Sequence, residues 1–207
     1  MHLKRPLTLA SLALFAFSGF ATAQEWEQLF DGKSLLGWKA NESAASFRVE
    51  DGMIACDGPR SHLFYTGQDG SADFKNFELT LEVKALNRAN SGVYFHTAFQ
   101  KDGWPEKGFE AQVINAPAGE GTYRENKLTG SLYGIRNIYK SVARDGEWFT
   151  LRVKVEGKRI QIRVNDTLLV DYIEPLPPPF LSDYPGRKID HGAFALRIHR
   201  AGAQAPR

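Results

Sequence analysis

Alternating apolar and polar positions recur along this chain after residue 24, and helical periodicity is nearly absent. Strand side chains point to opposite faces with period two, so such runs predict strands with one buried face. The predicted strands are Phe47–Val49, Met53–Ala55, Leu63–Tyr65, Phe77–Val83, Phe149–Val155, Arg159–Val164, Leu168–Tyr172 and Ala193–His199. Many short strands joined by tight turns predict an all-β fold, a two-sheet antiparallel sandwich.

Two further segments, residues 90–96 and 108–113, each present a polar ladder on one face. In the second segment, Glu110 and Gln112 point one way and the apolar residues point the other. In the first, His96 is predicted to share a face with the tyrosine two residues before it. If the two strands are neighbours in one sheet, a carboxylate, an amide, an imidazole and an aromatic ring converge, as on the floor of a sugar-binding groove.

Three long connections, residues 98–107, 116–131 and 173–190, separate the predicted strands. Long loops without regular structure in a compact domain are usually either functional or disordered. Their aromatic residues suit sugar stacking, and they equally suit packing against the edge of the sandwich. These aromatics are Trp104, Tyr123, Phe180 and Tyr184.

Residues 1–23 have the pattern of a secretory signal peptide. Lys4 and Arg5 precede an apolar run, and Ala21-Thr22-Ala23 offers a small-residue cleavage site. The alternative, a membrane anchor, is weaker because the run is shorter than the roughly 20 residues that span a bilayer. We expect one secreted or periplasmic domain, residues 24–207, with no membrane anchor after cleavage.

The charge of the expected mature chain argues against a nucleic-acid partner. The leader holds two basic residues, so 24 Lys and Arg then stand against 24 Asp and Glu. The sequence pI of 8.6 therefore belongs to the precursor, and no basic stripe or RNA-binding motif is present.

Several segments together resemble the 3-keto-disaccharide hydrolase domain family, and the resemblance runs from about Trp26 to His199. It implies a concanavalin-A-like jelly roll of two sheets with the active groove on one concave face. The segments that carry it are LFDGKSLLGW (29–38), FRVEDGMI (47–54), NSGVYFH (90–96), GFEAQVIN (108–115), TGSLYG (129–134) and GEWFTLRVKVEGKRIQIRVNDTLLVDY (146–172).

Motif positions of that family place Glu110, Gln112, His96 and Tyr133 at the groove. Relatives often carry arginine where this chain has His96. Family members usually add a strand after the segment HGAFALRIH (191–199), whereas residues 200–207 of this chain are too polar and too few to supply one. We therefore expect a jelly roll that lacks its last strand, which would expose an unpaired edge.

The resemblance implies action on glycosides whose C3 hydroxyl has been oxidised to a ketone. A C3 ketone acidifies the C2 proton, so Glu110 as general base would allow β-elimination of the C1 substituent, followed by addition of water. Ordinary glycosidases need two carboxylates that flank the scissile bond. The motif shows one convincing carboxylate, which favours the elimination route.

Five other residues are candidate substrate contacts, and each has a plainer reading. Asn90 is either a substrate contact or part of a strand-entry turn. Arg197 and His199 share one face of the last strand, and this face either reaches the groove or is a solvated outer face. Arg136 and Lys140 follow the TGSLYG segment and either bind substrate or are ordinary charged residues of a loop.

No cofactor is firmly indicated, because no cluster has clear metal-ligand spacing. A divalent cation held by Glu110 and His96 would polarise the ketone as a Lewis acid. The chain has no dinucleotide fingerprint, so a separate oxidoreductase is expected to supply the 3-keto sugar. The competing hypotheses are a non-catalytic carbohydrate-binding module on the same fold and a structural interaction domain.

Overall fold

The computed structural model describes residues 26–119 and 122–199. The predicted signal peptide and the segment after His199 therefore lie outside the described residues. The same holds for the expectation that the jelly roll lacks its last strand.

Within the described residues the chain forms eleven strands and one short 3-10 helix, Ala44–Ser46. The strands are β1 (Trp38–Ala40), β2 (Phe47–Glu50), β3 (Met53–Cys56), β4 (Ser61–Tyr65), β5 (Phe77–Lys84), β6 (Asn90–Thr97), β7 (Phe109–Val113), β8 (Trp148–Glu156), β9 (Arg159–Val164), β10 (Thr167–Ile173) and β11 (Ala193–His199). Every predicted strand is present. Strand β1 has no counterpart among the predicted strands, and β4 begins two residues earlier than predicted, so that it includes His62.

Two antiparallel sheets and a separate hairpin make up the fold. A five-stranded sheet has the order β1-β4-β11-β6-β7, and a four-stranded sheet has the order β10-β9-β8-β5. Strands β2 and β3 pair with each other in the hairpin. The all-β antiparallel sandwich is confirmed, and the expected pairing of β6 with β7 is confirmed as well.

The core lies between the two sheets. Phe95 and Phe109 from the five-stranded sheet share one buried cluster with Leu151 and Ile162 from the four-stranded sheet. The period-two pattern of the sequence supplies these residues, because alternate side chains of each strand point to the same face.

Two of the three long connections contribute residues that pack over the other face of the five-stranded sheet. Trp104 from residues 98–107 contacts His62, and Arg187 from residues 173–190 lies over Tyr94. Strands β6 and β7 are therefore buried on both faces. Among residues 26–119 and 122–199, no helix has the length and hydropathy that crossing a membrane requires.

Candidate active site

The face of the five-stranded sheet turned away from the core carries a row of residues on four neighbouring strands. His62 on β4 is paired with Arg197 on β11. On its other side, Arg197 is paired with Gly92 on β6, and Gly92 is paired with Gln112 on β7. Directly opposed residues of neighbouring strands share a face and have Cβ atoms about 5 Å apart. We call these four residues the central row, and the face that carries them the groove face.

Arg197 is the hub of the groove face and is only 4% exposed. Its Nη1 donates to the carboxylate of Glu110 and, over 3.1 Å, to Oε1 of Gln112. Its Nη2 donates to Oδ1 of Asn90. Burial disfavours the guanidinium charge, but the adjacent Glu110 raises the pKa of Arg197 above its ordinary value. The result is a buried ion pair supported by two side-chain amides, the arrangement that a buried charge requires.

Gly92 makes room for this ion pair. A Cβ atom at position 92 would lie 2.2 Å from Oε1 of Glu110 and 2.9 Å from its Cδ. The Glu110 side chain therefore crosses the sheet directly over Gly92 to reach Arg197. Gly92 lies inside strand β6 and has no positive φ, so its small size is what matters here and not its conformational freedom.

Trp104 covers the groove face. The guanidinium carbon of Arg197 lies 5.1 Å from its ring centroid, and the ring of His199 stacks on it at 5.4 Å. His62 meets the same indole edge-on at 5.3 Å, and the guanidinium carbon of Arg60 lies 5.2 Å away. The indole is 39% exposed, while the ion pair beneath it is almost inaccessible.

The loop that carries Trp104 has its own internal support from Gln100. The side-chain amide of Gln100 donates to the carbonyls of Asp102 and Trp104, both at 2.7 Å, and its oxygen accepts from the backbone of Glu106 at 3.0 Å. These bonds shape residues 100–106, and the side-chain amide of Asn41, which follows β1, donates to the carbonyl of Gly103 at 3.5 Å.

A second buried carboxylate, Glu125, lies beside Tyr133 and was missed by the sequence analysis. Glu125 is 1% exposed and accepts from the hydroxyls of Tyr133 at 2.6 Å and Tyr123 at 2.8 Å. The backbone and Nζ of Lys127 donate to its other oxygen. Burial raises the pKa of Glu125, but these hydrogen bonds outweigh it and hold the pKa below its ordinary value.

Tyr133 connects this second carboxylate to the strand of Glu110. Its backbone N–H donates to the carbonyl oxygen of Glu110 at 2.9 Å, and its hydroxyl accepts from Nζ of Lys127 at 3.3 Å. Burial, and then the hydrogen bond to Glu125, raise the pKa of the Tyr133 phenol. The alternation of Tyr123, Glu125 and Lys127 along the chain was the available sign of this cluster.

Arg187 adds a second buried cation to the groove face. Its Nη1 donates to the carbonyl of Gly108 at 3.0 Å, and its guanidinium carbon lies 5.6 Å from the ring centroid of Tyr94. Burial, and then the negative charge of Glu110, raise the pKa of Tyr94. Arg187 stands in the proline-rich connection, and its sequence context gave no sign of this position.

His96 does not join the groove face, contrary to the expectation that it shares a face with Tyr94. The pairing of β6 with β11 shifts register between Ala193 and Ala195, and His96 has a φ of 54°. A bulge of this kind inserts an extra residue and breaks the alternation of a strand. The His96 ring packs edge-on against Phe77, and its Nε2 bonds the carbonyl of Lys75 at 2.9 Å.

The structure brings together six of the nine residues that the sequence analysis singled out. These are Glu110, Gln112, Asn90, Arg197, His199 and Tyr133. The other three, His96, Arg136 and Lys140, lie apart from them: Arg136 is positioned over the ring of Tyr172 at 5.2 Å, and Lys140 is exposed in its loop.

Several buried nitrogen atoms of the groove face have no hydrogen-bond partner. They are Nε2 of Gln112, Nε of Arg197, Nε of Arg187 and both ring nitrogens of His62. The side-chain oxygens of Glu110, Gln112 and Asn90, by contrast, accept hydrogen bonds from Arg197. A buried polar group without a partner is costly, and such groups often mark a binding function. This face is therefore suited to a ligand that offers hydrogen-bond acceptors.

The expected cation site does not fit the residues as they are placed. Glu110 is paired with the guanidinium of Arg197, while His96 uses its ring nitrogens on the backbone of Lys75 and Asp190. In residues 26–119 and 122–199, no group of three or more His, Cys, Asp or Glu is arranged to hold a metal ion.

Comparisons with known proteins agree with the fold and with the motifs. The family described as the 3-keto-alpha-glucoside-1,2-lyase-like domain matches residues 25–204. A Bacteroides thetaiotaomicron protein named 3-keto-disaccharide hydrolase is 27% identical over 165 residues, which is 70% of this chain and 57% of that protein. The chain thus spans little more than half the length of this relative.

Two solved structures share the architecture. A candidate glycosyl hydrolase from Parabacteroides distasonis has a TM-score of 0.68 at 22% identity, covering 84% of this chain and 87% of that one. A carbohydrate-binding module from Bacillus subtilis has a TM-score of 0.52 at 14% identity, covering 80% and 89%. At these identities the likeness is one of fold.

Proposed function

This chain belongs to the 3-keto-alpha-glucoside-1,2-lyase-like domain family, and from that premise we propose that it cleaves glycosides oxidised to a ketone at C3. The substrate is a 3-keto-disaccharide or a related 3-keto-glycoside, which a separate oxidoreductase must first produce. The leader pattern of residues 1–23 supports a location outside the cytoplasm, in the periplasm or beyond.

The proposed reaction begins at C2, whose proton is acidified by the neighbouring ketone. The carboxylate of Glu110 takes the C2 proton, and the electron pair of that bond forms an enolate with its charge on the C3 oxygen. The enolate then collapses as the bond between C1 and the glycosidic oxygen breaks, which leaves a double bond between C1 and C2. Addition of water to this enone completes a net hydrolysis.

The observation that carries the proposal is the buried ion pair of Glu110 and Arg197, beside which several N–H donors have no hydrogen-bond partner. Glu110 supplies a carboxylate held in one geometry, which a general base needs. Arg197 and Gln112 keep N–H donors without partners beside it. Donors fixed near the position where negative charge develops are the usual means of stabilising an enolate.

The second carboxylate supports elimination over the ordinary glycosidase mechanism. A two-carboxylate glycosidase needs one carboxyl that stays protonated as the general acid. Hydrogen bonds hold the pKa of Glu125 below its ordinary value, and Glu110 faces the guanidinium of Arg197. Glu125 is therefore held in its ionised form and is not suited to be that acid, and Glu110 is already engaged in the contact with Arg197.

We assign protonation of the departing glycosidic oxygen to Tyr133 and Lys127. Without substrate the Tyr133 hydroxyl donates its hydrogen to Glu125. In the proposed step the hydroxyl turns that hydrogen to the leaving oxygen, and the Lys127 ammonium, 3.3 Å from the hydroxyl, replaces the proton it gives up. Glu125 keeps both residues in place through its hydrogen bonds.

The direct test is turnover of 3-keto-trehalose and 3-keto-lactose by the Glu110→Gln variant, with and without a chelator. We expect kcat to fall by about 10²- to 10⁴-fold, the usual contribution of a general base. The matched control is Glu174→Gln, which alters another buried, ion-paired carboxylate, bound to Lys158 away from the groove face. Unchanged turnover in Glu110→Gln would remove Glu110 as the base.

Deuterium labelling separates elimination from direct hydrolysis. In heavy water, removal and return of the C2 proton leaves deuterium at C2 of the released 3-keto sugar, which proton NMR detects. Direct hydrolysis leaves C2 unlabelled, and that result would rule out the proposed route.

A sugar-binding module without catalysis is the second candidate function. The aromatic surface of Trp104, 39% exposed and stacked on His199, is the feature that favours it. A binding module would depend on Trp104, would tolerate Glu110→Gln, and would release no product from either 3-keto-disaccharide.

A further inference from the structure

We propose that His62, Arg197 and Gln112 form one binding site for the C3 oxygen of the substrate, in which His62 is a previously unassigned member. This inference rests on the proposed function, because it names the groups that hold the ketone and then the enolate oxygen. It also defines a specificity: the site favours a carbonyl at C3 over a hydroxyl.

The three side chains are neighbours by the register of the sheet. His62 is directly opposed to Arg197, and Gln112 follows on the far side of Gly92. Because Gly92 has no side chain, it leaves a gap in the row, which the Glu110 carboxylate crosses. The proposed base and the proposed oxygen site are thereby adjacent, as removal of a proton next to a ketone requires.

Each of the three side chains has a buried nitrogen without a partner. These nitrogens are Nε2 of Gln112, Nε of Arg197 and the two ring nitrogens of His62. Gln112 Nε2 and Arg197 Nε are donors only, and a neutral imidazole offers one N–H donor. A ketone oxygen or an enolate oxygen accepts hydrogen bonds and donates none, so it matches this set.

The surroundings of His62 keep its imidazole neutral. A neutral imidazole can donate a hydrogen bond to a carbonyl without repelling the guanidinium of Arg197. Burial, and then the charge of Arg197, lower the pKa of His62 to about 3. Glu42, Arg60 and His199 are the other charged or titratable groups that act on it. A neutral imidazole polarises a carbonyl without introducing a further buried charge.

Trp104 covers this oxygen site. Its indole lies over Arg197 and against His62, and both are nearly inaccessible beneath it. Contact of a substrate oxygen with these side chains therefore requires displacement of the indole, and the shielding that it provides keeps water away from the reacting atoms.

The preference for a ketone follows from the cost of unpaired groups. A C3 hydroxyl can also accept from these donors, but its own hydrogen needs an acceptor. The second ring nitrogen of His62 is an acceptor, yet the two ring nitrogens point in divergent directions, so one hydroxyl cannot accept from one of them and donate to the other. A site built for particular hydrogen bonds discriminates against analogues that leave buried groups unpaired.

The test compares binding of 3-keto-trehalose and trehalose by calorimetry in a Glu110→Gln background, which prevents turnover. Adding His62→Phe should reduce the preference for the 3-keto sugar by about tenfold, the effect of one lost hydrogen bond to the ketone oxygen. Adding His62→Gln, which retains an N–H donor, should restore part of that preference. The matched control is His191→Phe, which changes an exposed histidine paired with Asp73.

NMR of nitrogen-labelled histidine provides a readout that does not depend on activity. The His62 ring signals should stay at neutral-imidazole positions from pH 7 to pH 5 and should shift when 3-keto-trehalose binds. If 3-keto-trehalose binds with an unchanged preference in His62→Phe and no His62 signal moves, the inference is wrong, while the proposed function stands. If the signal and the preference behave as expected but wild-type protein releases no product, the oxygen site stands and the proposed function fails.

Discussion

The groove face of the five-stranded sheet and the outer face of the four-stranded sheet use the same alternating strand pattern with opposite results. On the groove face, Arg197 and Glu110 form an ion pair whose side chains are 5% and 2% exposed. On the outer face, Arg152 and Glu78 form a pair whose side chains are 47% and 31% exposed. The residue types are the same, and the covering loops make the difference.

This difference changes what the charges can do. Exposed pairs are screened by water and contribute little to stability, whereas a buried pair costs desolvation energy and is held in one geometry. A charge that is fixed and shielded from water acts strongly on a bound ligand. The ion pair of the groove face therefore costs desolvation energy and can act on a bound ligand, whereas the exposed pair of the outer face does neither.

The largest expected contrast is between removal of the two arginines. Arg197→Ala leaves Glu110 buried without its partner and should reduce the free energy of unfolding by about 3–5 kcal/mol. Arg152→Ala on the outer face should reduce it by less than about 1 kcal/mol. Urea denaturation measures both. Equal effects would mean that the groove-face pair is hydrated in solution.

The next contrast uses two glycines. Gly92→Ala places a Cβ atom 2.2 Å from Oε1 of Glu110, so the ion pair must shift, at a cost of up to about 3 kcal/mol. The same variant should lose turnover of the 3-keto substrate. Gly157→Ala, in the β8–β9 hairpin, has no atom within 4 Å of its new Cβ and meets only left-handed backbone strain of about 1 kcal/mol. Normal stability in Gly92→Ala would show that Glu110 does not cross the sheet over this residue.

The smallest expected contrast is in the pH dependence of stability. The folded-state pKa of His62 is lowered to about 3 from an ordinary value of 6.5. Below pH 6.5, His62 therefore binds a proton in the unfolded chain but stays unprotonated in the folded chain. The stability linked to His62 is thus complete above about pH 6.5 and declines as the pH falls toward 3. Between pH 7 and pH 5 this amounts to about 2 kcal/mol.

His62→Phe should remove this part of the pH dependence. Burial lowers the pKa of His96 as well, so the comparison of wild type with His62→Phe isolates the share of His62. The paired carboxylate Asp171 of the outer face, whose pKa Arg159 lowers, titrates at lower pH than this interval. Identical slopes for the two proteins between pH 7 and pH 5 would contradict the buried, neutral state of His62.

Much of the site could be predicted because strand alternation and pairing are local properties. Glu110 and Gln112 alternate with apolar neighbours, and Arg197 and His199 do the same on β11, so their shared faces follow from the chain alone. His96 shows where this reasoning ends, since a bulge with one residue at positive φ is set by tertiary contacts and reverses the face. His62 was missed for a simpler reason, because the alternation of β4 begins two residues before the run that was recognised.

The chain alone predicts the all-β sandwich, the order of every strand except β1, and which polar residues share a face wherever no bulge interrupts the strand. These features depend on period-two patterns and turn residues, which act over a few neighbouring positions. The pairing of Arg197 with Glu110 and the covering of the groove face by Trp104 came only from the three-dimensional structure, because these contacts join residues far apart in the chain. Glu125 and Tyr133 are eight residues apart, and a loop without regular alternation brings them together. The burial that fixes these polar side chains comes from the loops that fold over the sheet.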